Sequence, residues 1–71
     1  MPTPALTEPE GLVLRTVEGY LLEHSYPPTL EEVARLCGFA SRSTAHRHIH
    51  NMIRKGYLEG TPGRTLRVVQ A

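Results

Sequence analysis

Three helix-start signals, each followed by apolar residues at helical spacing, constrain the fold of this chain more than any other feature. Thr7 and Thr29 each precede a glutamate by three residues. This is the spacing of a capping box, in which a hydroxyl and a carboxylate satisfy the free amides of a helix's first turn. Ser41 stands in the same way before a third segment. Gly38 and Gly56 follow the second and third segments, where a left-handed residue commonly ends a helix. The pattern predicts three helices.

The apolar residues of each segment recur at the three- and four-residue spacing that gives a helix one buried face. We expect the inward faces of the three helices to be formed, in turn, by Val13, Leu14, Val17, Tyr20, Leu21 and His24, by Leu30, Val33, Leu36 and Cys37, and by Ala45, Ile49, Met52 and Ile53.

The last stretch of the chain predicts a short β-hairpin. "YLEG" is followed by a "TPG" turn and by "RTLRVV", in which apolar and polar residues alternate. The predicted fold class is therefore mostly α with a small β-hairpin, a three-helix winged helix-turn-helix at 6–69 behind a flexible leader at 1–5. In this architecture the second helix of the motif enters the major groove of DNA. That helix is expected at 42–55, with the wing at 57–69.

Size and composition exclude several classes of protein. A chain of 71 residues can bury one modest core but cannot build a deep catalytic cleft. Its single cysteine excludes an intramolecular disulfide and favours a reducing, cytoplasmic location. The sequence shows neither the apolar run of about 18 residues expected of a membrane span nor a signal peptide. We expect a cytoplasmic module without enzymatic activity, cofactor or membrane association.

The net charge of +1 hides an uneven distribution of charge along the chain. Residues 1–36 hold six acids against two arginines, a balance of −4. Residues 37–71 hold six bases against Glu59 alone, a balance of +5. The segment 38–56 contains three histidines and four arginine or lysine residues, and no acid. Local positive potential of this kind is what phosphate binding requires, although small proteins also divide their charge by chance.

Four stretches of sequence resemble the DNA-binding domain of the LexA family of bacterial SOS repressors. They are "LT" at 6–7, "YPPTLEEVA" at 26–34, "GFASRSTAHRH" at 38–48 and "RKGYL" at 54–58. All four occur in the order and at the spacing of the family. The Ser-Thr-His form of the third helix resembles the Gram-positive and actinobacterial branch more than the enterobacterial one. The resemblance implies a transcriptional repressor that binds a double-stranded DNA operator, an inverted repeat, in the response to DNA damage.

The family's full-length members also carry a linker, a self-cleavage bond and a Ser-Lys peptidase domain that makes the dimer. This sequence has no Ala-Gly pair, and its one lysine, Lys55, belongs to the "RKG" motif. We therefore expect a domain without self-cleavage that is monomeric alone, with dimers formed on DNA or through a C-terminal domain. It is either part of a longer repressor or a stand-alone reader of DNA.

The first two turns of the third helix hold the candidate base-reading residues, because only they reach deep into the groove. These are Ser43, Thr44, His46 and Arg47, which match the family's base-reading positions. Ser43 and Thr44 are also typical of helix starts. Arg47 can donate two hydrogen bonds to a guanine. The alternatives are that it binds a phosphate or remains solvated.

The candidate contacts to the DNA backbone are polar or basic residues of the helix starts, the third helix and the wing: Thr29, Ser41, Arg42, His50, Arg54, Lys55 and Arg64. The start of the second helix suits a phosphate because its amides are free. His50 reaches a phosphate or only lines the exposed face. Arg67 is interpreted as a solvated charge on an edge strand.

Other residues suggest two alternative interpretations. His46 and His50 have the i, i+4 spacing of a metal-binding pair, but no third ligand is near, so no metal site is predicted. Cys37 is interpreted as a small buried apolar residue. A protein-binding winged helix, or an accessory regulator without its own operator, is the alternative function. The basic third helix argues against it, whereas exposure of Leu12 and Leu22 would favour it.

Overall fold

The computed structural model describes residues 5–69, and the prediction for residues 1–4 of the leader lies outside this range. The described chain contains α1 (Glu8–His24), α2 (Leu30–Cys37), α3 (Arg42–Lys55), β1 (Leu58–Glu59) and β2 (Arg67–Val68). The two strands are antiparallel, with Leu58 opposite Val68 and Glu59 opposite Arg67. The predicted three helices and hairpin are confirmed. Within residues 5–69, no helix has the length and apolar character needed to cross a bilayer.

The helix boundaries follow the predicted caps. The Thr7 hydroxyl accepts from the Glu10 amide, and the Glu10 carboxylate accepts from the Thr7 amide, so the first capping box is complete. The Thr29 hydroxyl accepts from the Glu32 amide at 3.1 Å, but the Glu32 carboxylate pairs with Arg35. The Thr29 hydroxyl therefore caps α2 as predicted, but the Glu32 carboxylate pairs with Arg35 instead of completing a capping box.

One core joins all five elements. Each helix packs on the other two, β1 packs on α3, and β2 packs on α1. The buried apolar residues of the core are Val13, Val17, Val33, Ala34, Ala45, Ile49, Met52, Leu58 and Leu66. Burying these side chains is the main favourable contribution to folding for a chain of this size.

Two predicted core positions, Leu36 and His24, are wrong, and Cys37 is one of several that are only partly buried. Leu36 is 48% exposed. His24 is exposed and stacks on Tyr20, with ring centroids 4.2 Å apart, instead of entering the core. Cys37 is half-buried, packs against the core and donates from Sγ to the Thr16 hydroxyl at 3.3 Å. The inward face of α1 therefore ends near Leu21.

The hairpin turn depends on a glycine. Gly60 has a φ of 97°, and a Cβ added there would lie 2.2 Å from the Thr65 carbonyl oxygen. The turn is closed by the Thr61 carbonyl, which accepts from the amides of Arg64, Thr65 and Leu66. Only glycine combines this backbone conformation with so close an approach.

Replacing two glycines by alanine is expected to have opposite effects on stability. Gly60→Ala places a methyl group against the Thr65 carbonyl in a left-handed conformation, and we expect a loss of about 2 kcal/mol or more. Gly19 lies inside α1, and a Cβ there would meet no atom within 4 Å. Gly19→Ala should stabilise the protein by about 0.5–1 kcal/mol. Urea denaturation measures both changes. Equal effects of the two substitutions would contradict the described turn.

Candidate nucleic-acid interface

The third helix presents one face to solvent because the opposite face is fixed in the core. Ala45, Ile49 and Met52 are buried. The helix begins after Ser41, whose hydroxyl accepts from the Thr44 amide at 3.4 Å. It ends at Gly56, which has a φ of 89°. These contacts set both the rotation and the length of the exposed face.

The four candidate base-reading residues lie together in the first two turns of α3. Ser43, His46 and Arg47 are exposed, and Thr44 is half-buried. The Thr44 hydroxyl lies 3.3 Å from that of Ser41, which is the helix-start chemistry left open by the sequence. Contact of these residues with bases remains a prediction.

The histidines of α3 divide between two sides of the helix. His46 and His50 stack with ring centroids 6.2 Å apart and planes 16° apart. They line a cleft of about 220 Å³ together with Thr61 and Pro62 of the hairpin turn. His48 is half-buried and packs on Phe39 instead. His46 and His50 therefore lie where the third helix meets the wing.

The hairpin turn also contacts the start of α2. The Gly63 amide donates to the Pro28 carbonyl at 2.8 Å, and Gly63 packs against Thr29. Arg64 follows Gly63 and is exposed, as is Thr29. The fold thus brings two predicted backbone contacts, far apart in sequence, to the same edge of the molecule.

Arg42 forms an ion pair that was not anticipated. Its guanidinium donates to Glu31 at 3.1 Å, and both side chains are about two-thirds exposed. The backbone amide of Glu31 and, next, the Arg42 guanidinium lower the pKa of the Glu31 carboxyl. Glu31 places an anion beside a predicted phosphate contact. The sequence gives no signal of this pairing, because it depends on how α2 and α3 cross.

Lys55 also has an intramolecular partner. Its ammonium donates to Glu10 Oε1 at 2.6 Å and to the Ala5 carbonyl at 3.2 Å. The Lys55 hydrogen bond, followed by the Thr7 amide, lowers the pKa of the Glu10 carboxyl against the opposing effect of burial. The stability provided by this pair is therefore present above the ordinary pKa of glutamate and is lost as the pH falls through the lowered value. The neighbouring Arg54 is exposed.

Apart from the predicted DNA contacts, the described residues form a cleft but no cluster of metal ligands. In the part of the chain that the structure describes, no group of three or more His, Cys, Asp or Glu side chains comes together as a metal site. A cleft of about 470 Å³ lies between α1 and α2, and its lining includes Arg15, Tyr20 and Arg35. None of the predicted DNA contacts lines this cleft.

Three helices, a hairpin and an exposed basic face on the third helix together define a winged helix-turn-helix domain of the DNA-binding class. Residues 3–66 match the model of the family described as the LexA DNA binding domain. The chain belongs to this family.

Individual relatives agree with the family match. The chain is 39% identical over 59 residues to a LexA repressor of Desulfatibacillum aliphaticivorans, which covers 83% of this chain and 29% of the relative. It is 37% identical over 62 residues to that of Carboxydothermus hydrogenoformans, covering 87% and 30%. It is 43% identical over 58 residues to that of Cellvibrio japonicus, covering 82% and 29%. The chain thus spans less than a third of the length of these relatives.

Proposed function

We propose that this domain binds double-stranded DNA sequence-specifically, with α3 in the major groove and the hairpin on the adjacent backbone. One observation carries the proposal: the first two turns of α3 expose Ser43, His46 and Arg47 in a segment that contains no acid. Their hydroxyl, imidazole and guanidinium groups match the hydrogen-bonding groups of base edges. Thr44 completes the base-reading set.

The same face supports the proposed contacts to the DNA backbone. Ser41, Arg42, His50 and Arg54 are exposed on α3 or at its cap, and Thr29 and Arg64 lie at the joined edge of α2 and the wing. Arginines on this edge neutralise phosphates and fix the register of the helix in the groove. Arg42 must leave Glu31 or share its guanidinium with a phosphate, since the two charges meet in the free protein.

The proposed biological role is transcriptional repression of the LexA type, by occupying an operator without an enzymatic step. The family match supports a regulator that acts by binding. In this proposal the operator is an inverted repeat, the regulated response is that to DNA damage, and the site of action is the bacterial nucleoid in the cytoplasm.

Selection of bound sites from random duplex DNA tests the proposal directly. We expect one preferred half-site for the unmodified chain. Arg47→Ala should relax the preference at one base pair, with a loss of about 1–3 kcal/mol of discrimination there. Arg15→Ala is the matched control, because Arg15 is exposed on α1 and lines the cleft between α1 and α2.

Two outcomes would count against this assignment. Uniform weakening of Arg47→Ala on all sequences would make Arg47 a phosphate contact and remove it from the base-reading set. Failure of the unmodified chain to enrich any sequence, even at low salt, would favour the alternative of a protein-binding winged helix.

A further inference from the structure

The ammonium of Lys55, at the end of the recognition helix, is held by two acceptors of the protein and is only partly exposed. Lys55 is the last residue of α3, and its ammonium lies 2.6 Å from Oε1 of Glu10, the third residue of α1. The Glu10 side chain is only 3% exposed and that of Lys55 26%. The same ammonium donates to the Ala5 carbonyl at 3.2 Å. One side chain therefore joins the end of α3, the start of α1 and the segment that precedes it.

A phosphate contact by Lys55 would compete with this arrangement, because two of the three ammonium hydrogens are already donated within the protein and the side chain is only 26% exposed. Moving the ammonium to DNA would leave the Glu10 carboxylate buried without its counter-ion, which is strongly unfavourable in a protein interior. Arg54, one residue earlier, is exposed and can approach a phosphate without such a loss. Two adjacent cations of the "RKG" motif thus stand in different environments.

We infer that Lys55 and Glu10 form a latch that positions α3 and the wing for DNA, and that Lys55 is a positioning residue and not a phosphate contact. The inference rests on the proposed DNA binding for its functional consequence. Gly56 follows Lys55 directly, and β1 begins two residues later. Fixing Lys55 therefore also fixes where the wing leaves the helix. The latch sets the angle between the two parts that contact DNA.

The salt dependence of DNA binding separates a positioning residue from a phosphate contact. A residue that neutralises a phosphate contributes about 0.9 to the slope of log affinity against log salt, whereas a positioning residue contributes nothing. Lys55→Met should lower the affinity for the selected half-site about threefold to tenfold with an unchanged slope. Arg54→Ala is the matched control and should lower the slope by about 0.9.

For the Glu10→Gln substitution, the two possible roles of Lys55, positioning residue and phosphate contact, predict opposite changes in DNA affinity. If the latch positions α3, losing the carboxylate weakens DNA binding although it removes a negative charge. If Lys55 were a phosphate contact, the same change would free its ammonium and leave affinity unchanged or higher. Glutamine keeps an acceptor for the Thr7 amide, so the capping box survives. Lys55→Arg keeps the cation and should recover part of the affinity lost in Lys55→Met.

Two measurements on the free protein test the latch without DNA. Hydrogen exchange at the Tyr57 amide, which donates to the Met52 carbonyl, should accelerate in Lys55→Met because the end of α3 loosens. The Glu10 carboxyl, followed by carbon NMR, should titrate at higher pH in the same variant because its cation is gone. If no duplex is bound at all, the proposed function fails, but these two measurements still decide the latch. Unchanged exchange together with an unchanged Glu10 titration, or a salt slope reduced in Lys55→Met as in Arg54→Ala, would overturn the inference.

Discussion

Two copies of the domain joined by a flexible linker are expected to bind a palindromic operator about 10²–10⁴ times more tightly than the single domain. Once one copy has bound its half-site, the linker keeps the other copy at a high effective concentration near the second half-site. A Gly/Ser linker of about 36 residues has an average reach of roughly 33 Å. This reach matches the separation of about 34–36 Å between half-sites one helical turn apart. Titration of the fusion and of the single domain on the same duplex measures the gain.

The controls for this prediction keep the linker and remove the second binding event. The fusion should bind a duplex with one scrambled half-site almost as weakly as the single domain. A fusion in which one copy carries Arg47→Ala should lose most of the gain. Sedimentation of the single domain completes the test. A tight dimer that binds the palindrome at full strength without a linker would show that the monomer prediction is wrong.

The exposed leucines of α1 support a monomer more than a dimer. Leu12 is 37% and Leu22 is 87% exposed, as the sequence suggested. Ten residues of helix separate them by about 15 Å along the axis and by about 80° around it. Two apolar side chains so placed do not form one seam, and isolated exposed leucines are common on protein surfaces. We therefore expect two copies to be held together by a tether and not by a dimer interface on this face of α1.

The helix boundaries could be predicted from the sequence because capping is local chemistry. Thr7, Thr29 and Ser41 each satisfy an amide three residues away, and Gly38 and Gly56 both adopt the left-handed conformation. These interactions depend on neighbouring residues only.

The predicted inward face of α2 is wrong at Leu36, and it lacks the buried Ala34. Taking Leu30 as the origin and 100° per residue, Leu30 and Val33 have a mean direction of about 330° around the helix. Leu36 lies about 90° from that direction and Ala34 about 70°. Ala34 is nevertheless buried, whereas Leu36 is 48% exposed. A difference of about 20° does not separate the two positions, so which of them is buried depends on how α1 and α3 pack against α2.

The ion pairs of the candidate site could not be predicted, because they depend on how the helices pack. Glu10 and Lys55 are 45 residues apart, and Arg42 and Glu31 belong to different helices. In the sequence, Glu10 is fully explained by the capping box and Lys55 by the basic segment. Only the crossing of α1 and α3 shows that the two charges meet.

Binding to DNA is expected to weaken steeply with salt. Arg42, Arg47, Arg54 and Arg64 are the exposed arginines of α3 and the wing turn. Of these, Arg42, Arg54 and Arg64 are the proposed phosphate contacts. If each neutralises one phosphate, log affinity falls with a slope of about −2.7 against log salt, because the condensed counterions are released. Raising the salt concentration fourfold should then reduce affinity roughly 40-fold. Fluorescence titration on the selected half-site at several salt concentrations gives the slope.

Single substitutions assign the slope to individual residues. Arg54→Ala and Arg64→Ala should each reduce it by about 0.9, whereas Arg15→Ala should leave it unchanged because Arg15 lies on α1 at the other cleft. Arg42→Ala is expected to reduce the slope by less than about 0.9, because Glu31 already neutralises Arg42 in the free protein. In this variant the Glu31 carboxylate loses its partner and faces the DNA as an unpaired anion. Glu31→Gln should correspondingly raise affinity, and more at low salt than at high salt, because screening weakens the repulsion it removes. An affinity that does not depend on salt would contradict the placement of these arginines on the DNA backbone.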